Sequence, residues 1–441
     1  MNETNRGMSM NRRNFLKNSA LGVGAALGTD LVFGQEQQPT TPAPQPELKI
    51  KGYRTLGRTG FKVSDISCGY IKDPAVLERL LDTGVNYIDA AENYENEEMI
   101  GSVLKKRDRK SIFLTTKLII TNENATKDDF VSRAYQALKR LQVDFVDCLM
   151  IHSCENMRQL KNEAFHAAAK QLKAEGKIKY FGLSNHGSNF YVDPEETMEK
   201  ILVEAAKDGR FDVMQLAYNF IQDDKGDAVI KICKENNIGT VIMKTNPIGN
   251  TSRLKARLEQ FKKEGKEIPP QLPSMIAKLE DKEKRSQEFI QKYRLNDAKR
   301  MRDAAIRFVL SNPDAHTISC SFHNFDGLDA FIPLSGTTLS DMEKIQLAAY
   351  KEACGSYYCR HACGLCEPAC PHHVPVNTIM RFKHYFEAQG KEKYAMKNYA
   401  HLAGPKADIC LKCAGHCESA CPFGVPVHSL LCMAHHTLTI A

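Results

Sequence analysis

The chain is predicted to be an α/β protein: a (β/α)8 barrel followed by a small helical domain. Two observations predict the barrel. Eight short apolar runs alternate with charged, amphipathic helical runs between Lys49 and Leu347, and eight such pairs fill the roughly 250–300 residues that one barrel takes. The first run ends in Cys68-Gly69-Tyr70, which is not the glycine-rich phosphate loop of a doubly wound open sheet. A third observation predicts the second domain. Ten of the 15 cysteines fall after residue 350, and in a chain long enough to bury a large core such crowding points to metal rather than to disulfides.

Composition sets the outer limits. With 42% hydrophobic and 26% charged residues, the 441-residue chain has an ordinary globular balance. Its basic excess of +7 is spread along the chain without a dense stripe, so nucleic acid is not an expected partner. Past the N-terminus no apolar run reaches the roughly 18 residues of a membrane span, and none is expected in the mature chain.

In chain order, residues 1–34 read as an address rather than as fold. Asn11-Arg12-Arg13-Asn14-Phe15-Leu16-Lys17 precedes a small-residue, weakly apolar stretch from Ala20 to Phe33. Basic, apolar and polar regions in that order resemble the bacterial twin-arginine (Tat) export signal, which implies a periplasmic location or a membrane-associated one facing the periplasm. Because that route carries folded proteins, a cofactor inserted in the cytoplasm would travel with the chain. Residues 35–48, with Pro39, Pro42, Pro44 and Pro46, read as an extended linker.

The barrel is expected over 49–347. Its strands are predicted at Val63–Cys68, Asn86–Ala90, Ile112–Thr116, Phe145–Ile151, Tyr180–Ser184, Val213–Leu216, Thr240–Met243 and Thr317–Cys320, with helices such as Asp128–Leu141 and Asn162–Glu175 between them. Residues 250–300 are long, charged and broken by Pro269, Pro270 and Pro273, an insertion projecting from the barrel's active face.

Polar residues at strand ends are where barrel chemistry is expected. Asp89 ends the second strand and Tyr94 follows five residues later; Lys117 ends the third and His152 the fourth. A free tyrosine holds its proton to about pH 10. An adjacent ammonium is expected to lower that value, with a carboxylate holding the ammonium in place.

With these four in this order, residues 50–345 resemble the aldo-keto reductase family. The resemblance implies that Tyr94 donates a proton to a substrate carbonyl, that Asp89 and Lys117 tune it, and that His152 orients the carbonyl. It also implies hydride from a bound NADP(H) or NAD(H), whose carboxamide would meet Ser184, Asn185 and Gln215. Two positions depart from the family. Its ring-stacking tyrosine falls on Thr245, and no arginine or lysine stands between Ser319 and Phe331 for the adenosine phosphate.

The domain over 348–441 holds two motifs that repeat each other. Cys359, Cys363, Cys366 and Cys370 precede Pro371; Cys410, Cys413, Cys417 and Cys421 precede Pro422. Both resemble the bacterial ferredoxin pattern, which implies two [4Fe-4S] clusters in an α-helical ferredoxin-like module, with Cys370 and Cys421 each serving either its own cluster or the other. Two four-cysteine zinc sites are the alternative. Thr378–Gln389 is expected to be helical.

The combined expectation is an exported carbonyl/alcohol oxidoreductase acting on a small substrate, with a protein electron donor or acceptor. Hydride carries two electrons and a cluster passes one, so the two halves need an intermediary. Two alternatives stand beside it: an electron-transfer protein whose barrel binds a substrate or partner without NADP(H), and a non-catalytic binding protein with structural clusters.

Overall fold

A computed structural model of the chain describes residues 48–441 apart from 123, 186–195, 249–257, 266–272, 274–275, 278–286, 356–357, 362 and 440–441. The expected export signal and nearly all of the linker lie outside the described residues, as does most of the 250–300 insertion. Of that insertion, Gln287–Tyr293 is helical and Ala298 opens the helix Ala298–Leu310.

Eight parallel strands close into a barrel: β3 (Ile66–Ile71), β4 (Tyr87–Asp89), β5 (Phe113–Ile119), β6 (Val146–His152), β7 (Ile178–Ser184), β8 (Val213–Ala217), β9 (Gly239–Met243) and β10 (Thr317–Phe322). Each pairs with its sequence neighbour, and β10 returns to pair with β3. The alternation in the sequence therefore marks the barrel correctly. Helices between strands start where side chains replace missing backbone partners. Asp73 accepts from the N–H groups of Ala75 and Val76 at the start of Pro74–Asp82, and Thr126 and Asp129 cap each other's backbone at the start of Lys127–Leu141.

One element escaped the sequence reading. The expected first strand, Val63–Cys68, is two pieces broken at Asp65. Residues Lys62–Ser64 form β2, which pairs antiparallel with β1 (Tyr53–Thr55) in a separate hairpin, and only from Ile66 does the chain enter the barrel. Leu56 and Val63 from this hairpin region join Tyr87, Phe113, Cys148, Met150, Val213 and Val241 in a buried cluster. A methyl group at Gly239 would come within 2.8 Å of the Leu56 side chain, so the start of β9 needs a residue without one. A larger cluster lies between the strands and the surrounding helices.

A third cluster continues past the barrel. It joins Phe220 and Ile221, which follow β8, to Tyr350, Tyr358 and the apolar faces of Val376–Gln389, Glu392–Ala400 and Val427–Leu438. The cysteine motifs sit on short helical turns, Glu367–Ala369, Ile409–Lys412 and His416–Ser419. The domain is helical, as its sequence predicts, and it is packed on the strand-end face of the barrel. No helix among the described residues is long and apolar enough to cross a membrane.

Candidate active site

Strand geometry assembles the four polar residues. Asp89 is the last residue of β4, and a single helical turn, Glu92–Tyr94, brings Tyr94 back over the barrel mouth. Lys117 lies two residues inside the end of β5, and His152 closes β6. Lys117 Nζ is 2.5 Å from Asp89 Oδ1 and donates to the Ala90 carbonyl at 2.9 Å. The same ammonium lies 4.9 Å from the centre of the Tyr94 ring. The rings of Tyr94 and His152 meet edge-on at 5.6 Å.

The electrostatics correct one expectation. Burial, reinforced by the Asp89 carboxylate, pushes Tyr94 well above the usual phenol value. Lys117 stands beside the ring but does not outweigh burial. Burial itself lowers Lys117, against the opposing pull of Asp89. His152 is driven well below the ordinary imidazole value by burial, with Lys117, Arg381 and Lys391 adding to the effect. At neutral pH the site therefore holds a protonated phenol beside a neutral imidazole.

Of the three residues expected at a nicotinamide carboxamide, Gln215 faces the cavity above the mouth and donates to Asp89 at 2.9 Å. Ser184 and Asn185 are fully buried and do not line that cavity. Ser184 Oγ accepts from the Ser153 N–H, and Asn185 Nδ2 donates to the Cys154 carbonyl at 2.6 Å. Thr245 is buried and offers no ring for stacking. The residues present thus fit the carboxamide end of a nicotinamide at Gln215 alone.

The cavity, about 430 Å³, is roofed by the helical domain. Thr378, Arg381, Phe382, Tyr385, Lys391 and Tyr394 line it from above. Arg381 pairs with Glu155, just beyond β6, at 2.8 Å. The Gln222 side chain donates to the His361 carbonyl at 2.6 Å, and Asn93 donates to the Tyr394 hydroxyl at 3.3 Å. Lys391 Nζ stands 3.5 Å from the centre of the Tyr70 ring and 5.0 Å from that of Tyr94. These roof residues were missed in the sequence. They sit among ordinary charged helical positions between the cysteine motifs, and no local signal places them over a barrel some 300 residues away in the chain.

The cysteines fall into two sets. Cys359, Cys363, Cys366 and Cys421 line one small cavity with Arg360 and Phe423, whose ring centre lies 3.4 Å from the Arg360 guanidinium. Cys370 lies by Cys410, Cys413 and Cys417: burial raises the Cys410 and Cys417 thiols, with Cys432, Cys417, Cys370 and Cys413 adding to it at Cys410 and Cys370 and Cys413 at Cys417. The fourth cysteine of each motif therefore lies with the other motif. Among the described residues no three His, Cys, Asp or Glu side chains converge tightly enough to hold a single metal ion.

A profile described as "Aldo/keto reductase family" matches residues 71–351. "Methylglyoxal reductase DkgB" of Escherichia coli O157:H7 is 31% identical over 120 residues, covering 26% of this chain and 44% of that protein. "Aldo-keto reductase YhdN" of Bacillus subtilis is 25% identical over 215 residues, covering 43% of this chain and 60% of its own. The chain thus spans about half the length of the curated relatives it matches. Among solved structures, aldo-keto reductase AKR11C1 from Bacillus halodurans in its holo form is 20% identical, with a TM-score of 0.47 over 68% of this chain and 96% of that one.

Proposed function

The chain belongs to the aldo/keto reductase family, and from that premise we propose that it is an exported iron–sulfur oxidoreductase interconverting a carbonyl and an alcohol. One observation carries the chemistry: a buried Asp89–Lys117 ion pair at 2.5 Å beneath Tyr94, with His152 edge-on beside it. His152, neutral at its lowered pKa, donates a hydrogen bond that holds the substrate carbonyl oxygen. Tyr94, which keeps its proton in the resting site, gives it to that oxygen as negative charge develops there. Lys117, 4.9 Å from the ring, stabilises the phenolate left behind. A reduced nicotinamide, when bound, supplies the hydride, and Gln215 is the cavity residue placed to meet its carboxamide.

Each cysteine set would hold one [4Fe-4S] cluster: Cys359, Cys363, Cys366 and Cys421 the first, Cys410, Cys413, Cys417 and Cys370 the second. The chemistry such a cluster supplies is one-electron transfer. The four thiols of the first set line one cavity, which suits a cube in which each thiolate binds a different iron, and the exchange of fourth cysteines is the pattern of two-cluster ferredoxins. Export rests on Arg12 and Arg13 and the apolar stretch behind them.

The test is Tyr94→Phe. Carbonyl reduction should fall about 10²–10⁴-fold while circular dichroism and cluster absorbance stay unchanged; full turnover in this variant would overturn the assignment. A second reading, electron transfer without a nicotinamide, is favoured by Thr245 and by the wall-facing Ser184 and Asn185. Anaerobic titration with NADPH and then NADH separates the two. Saturable binding that bleaches the iron–sulfur band joins barrel to clusters, whereas no binding supports the second reading.

A further inference from the structure

Four cations gather at the roofed mouth, and only two have anionic partners. Lys117 is neutralised by Asp89 and Arg381 by Glu155. Lys244 and Lys391 remain, and among the described residues no carboxylate pairs with either. Both reach the same cavity, and both lie against Tyr385, Lys244 at 4.5 Å and Lys391 at 5.8 Å from the ring centre. Taking an ammonium out of water is costly unless an anion meets it. Here two are desolvated within reach of each other. Burial lowers both; Lys391 and Arg381 add to the effect at Lys244, while Lys117 and Lys72 add to it at Lys391, which falls to about 7.

The backbone adds a second indication. Lys244, directly after β9, has φ of 60°, in the left-handed region that a lysine seldom occupies. Such strain collects where a side chain must be aimed at a functional target, and Lys244 faces the cavity. The aromatic rings of Tyr70, Tyr94 and Tyr385 give the ammoniums partial compensation through their faces. They leave the net positive field of the cavity in place.

We infer that the cavity is built for a carbonyl or alcohol substrate carrying its own anionic group, a carboxylate or phosphate received by Lys244 and Lys391. The inference deepens the proposed reductase function, on which it rests for placing the carbonyl end at Tyr94 and His152. It also gives the helical domain a part in choosing the substrate, since Lys391 belongs to that domain.

The experiment is calorimetric titration of the full, cluster-loaded chain with three probes: 4-carboxybenzaldehyde, the similarly shaped but neutral 4-methylbenzaldehyde, and nicotinamide mononucleotide. The carboxylated aldehyde should bind on the order of tenfold more tightly than the neutral one. Lys391→Gln and Lys244→Gln should each erase most of that preference, while Lys391→Arg keeps it and shows that the fold tolerates change there. Equal binding of the two aldehydes, or a preference that survives both glutamine variants, overturns the inference. So does a lysine dependence found only with nicotinamide mononucleotide, which would assign the two ammoniums to the cofactor. Running the series on Tyr94→Phe as well reads affinity without turnover, so failure of the catalytic reading leaves this result intact and separately visible.

Discussion

At the scale of single residues, the Asp89–Lys117 pair is the feature on which both stability and chemistry turn. Both side chains are almost wholly buried, so removing one partner leaves an uncompensated charge in the core. Lys117→Met should destabilise the protein by about 3–5 kcal/mol, measured by urea unfolding, and adding Asp89→Asn should recover much of that loss without restoring turnover. Lys391 sets a pH dependence. It is met by Tyr70, Lys72, Asp89, Tyr94, Lys117, His152, Lys244 and His323 from the barrel and by Tyr385 from the tail. Its folded value, about 7, lies below the ordinary lysine value. Its charge in the free protein is therefore complete below that pH and lost as pH rises through it. Binding of 4-carboxybenzaldehyde should weaken over the same interval, and near pH 7 it should draw up a proton, seen as a buffer-dependent heat. The four polar residues were legible because each stands at or near the end of an apolar run. Lys391 and Lys244 were not, because their meaning comes from tertiary packing that no local pattern encodes.

At the scale of elements, the helix Val376–Gln389 is the piece that makes a barrel mouth into a chamber. Arg381 anchors it to Glu155 through a pair that is about one-tenth exposed on each side. Arg381→Met would leave Glu155 desolvated and alone, a change on the order of 3 kcal/mol in docking. Hydrogen exchange should then rise selectively over 376–389 while β3–β10 keep their protection; uniform loss across the barrel would show that the helix is not an independent lid. The element that the sequence hid is the hairpin. Val63–Cys68 is apolar enough to read as one strand, and only Asp65 marks the break. That carboxylate accepts from Ser335 Oγ and the Gly336 N–H, partners 270 residues onward that no window on the sequence can supply. The barrel strands themselves were readable because buried parallel strands are short, continuous apolar runs.

At the scale of the molecule, the cysteine sets and the cavity share one core. Cys366, Cys370, Cys410 and Cys417 belong to the same buried cluster as Phe220, Ile221 and Tyr350. If each set holds a cluster, stripping the iron should loosen the roof as well as end electron transfer, because ligand binding and folding are one equilibrium in such small metal domains. The expected result is new protease cleavage after about residue 355 and a matching loss of preference for the carboxylated aldehyde. Intact resistance after iron removal would mean that apolar packing alone holds the roof. The crowding of cysteines into the tail was legible in the sequence; the packing of barrel and tail into one body was not, since it arises from contacts such as Gln222 with His361.

The roof has a consequence for how such a chain can change over time. The walls of the cavity are encoded in two stretches of gene, one for the strand ends and another, far downstream, for Arg381, Tyr385 and Lys391. Substitutions in the tail would alter the roof of the cavity while leaving the tetrad untouched. New substrate preference can therefore arise by mutation in a stretch that supplies none of the four tetrad residues.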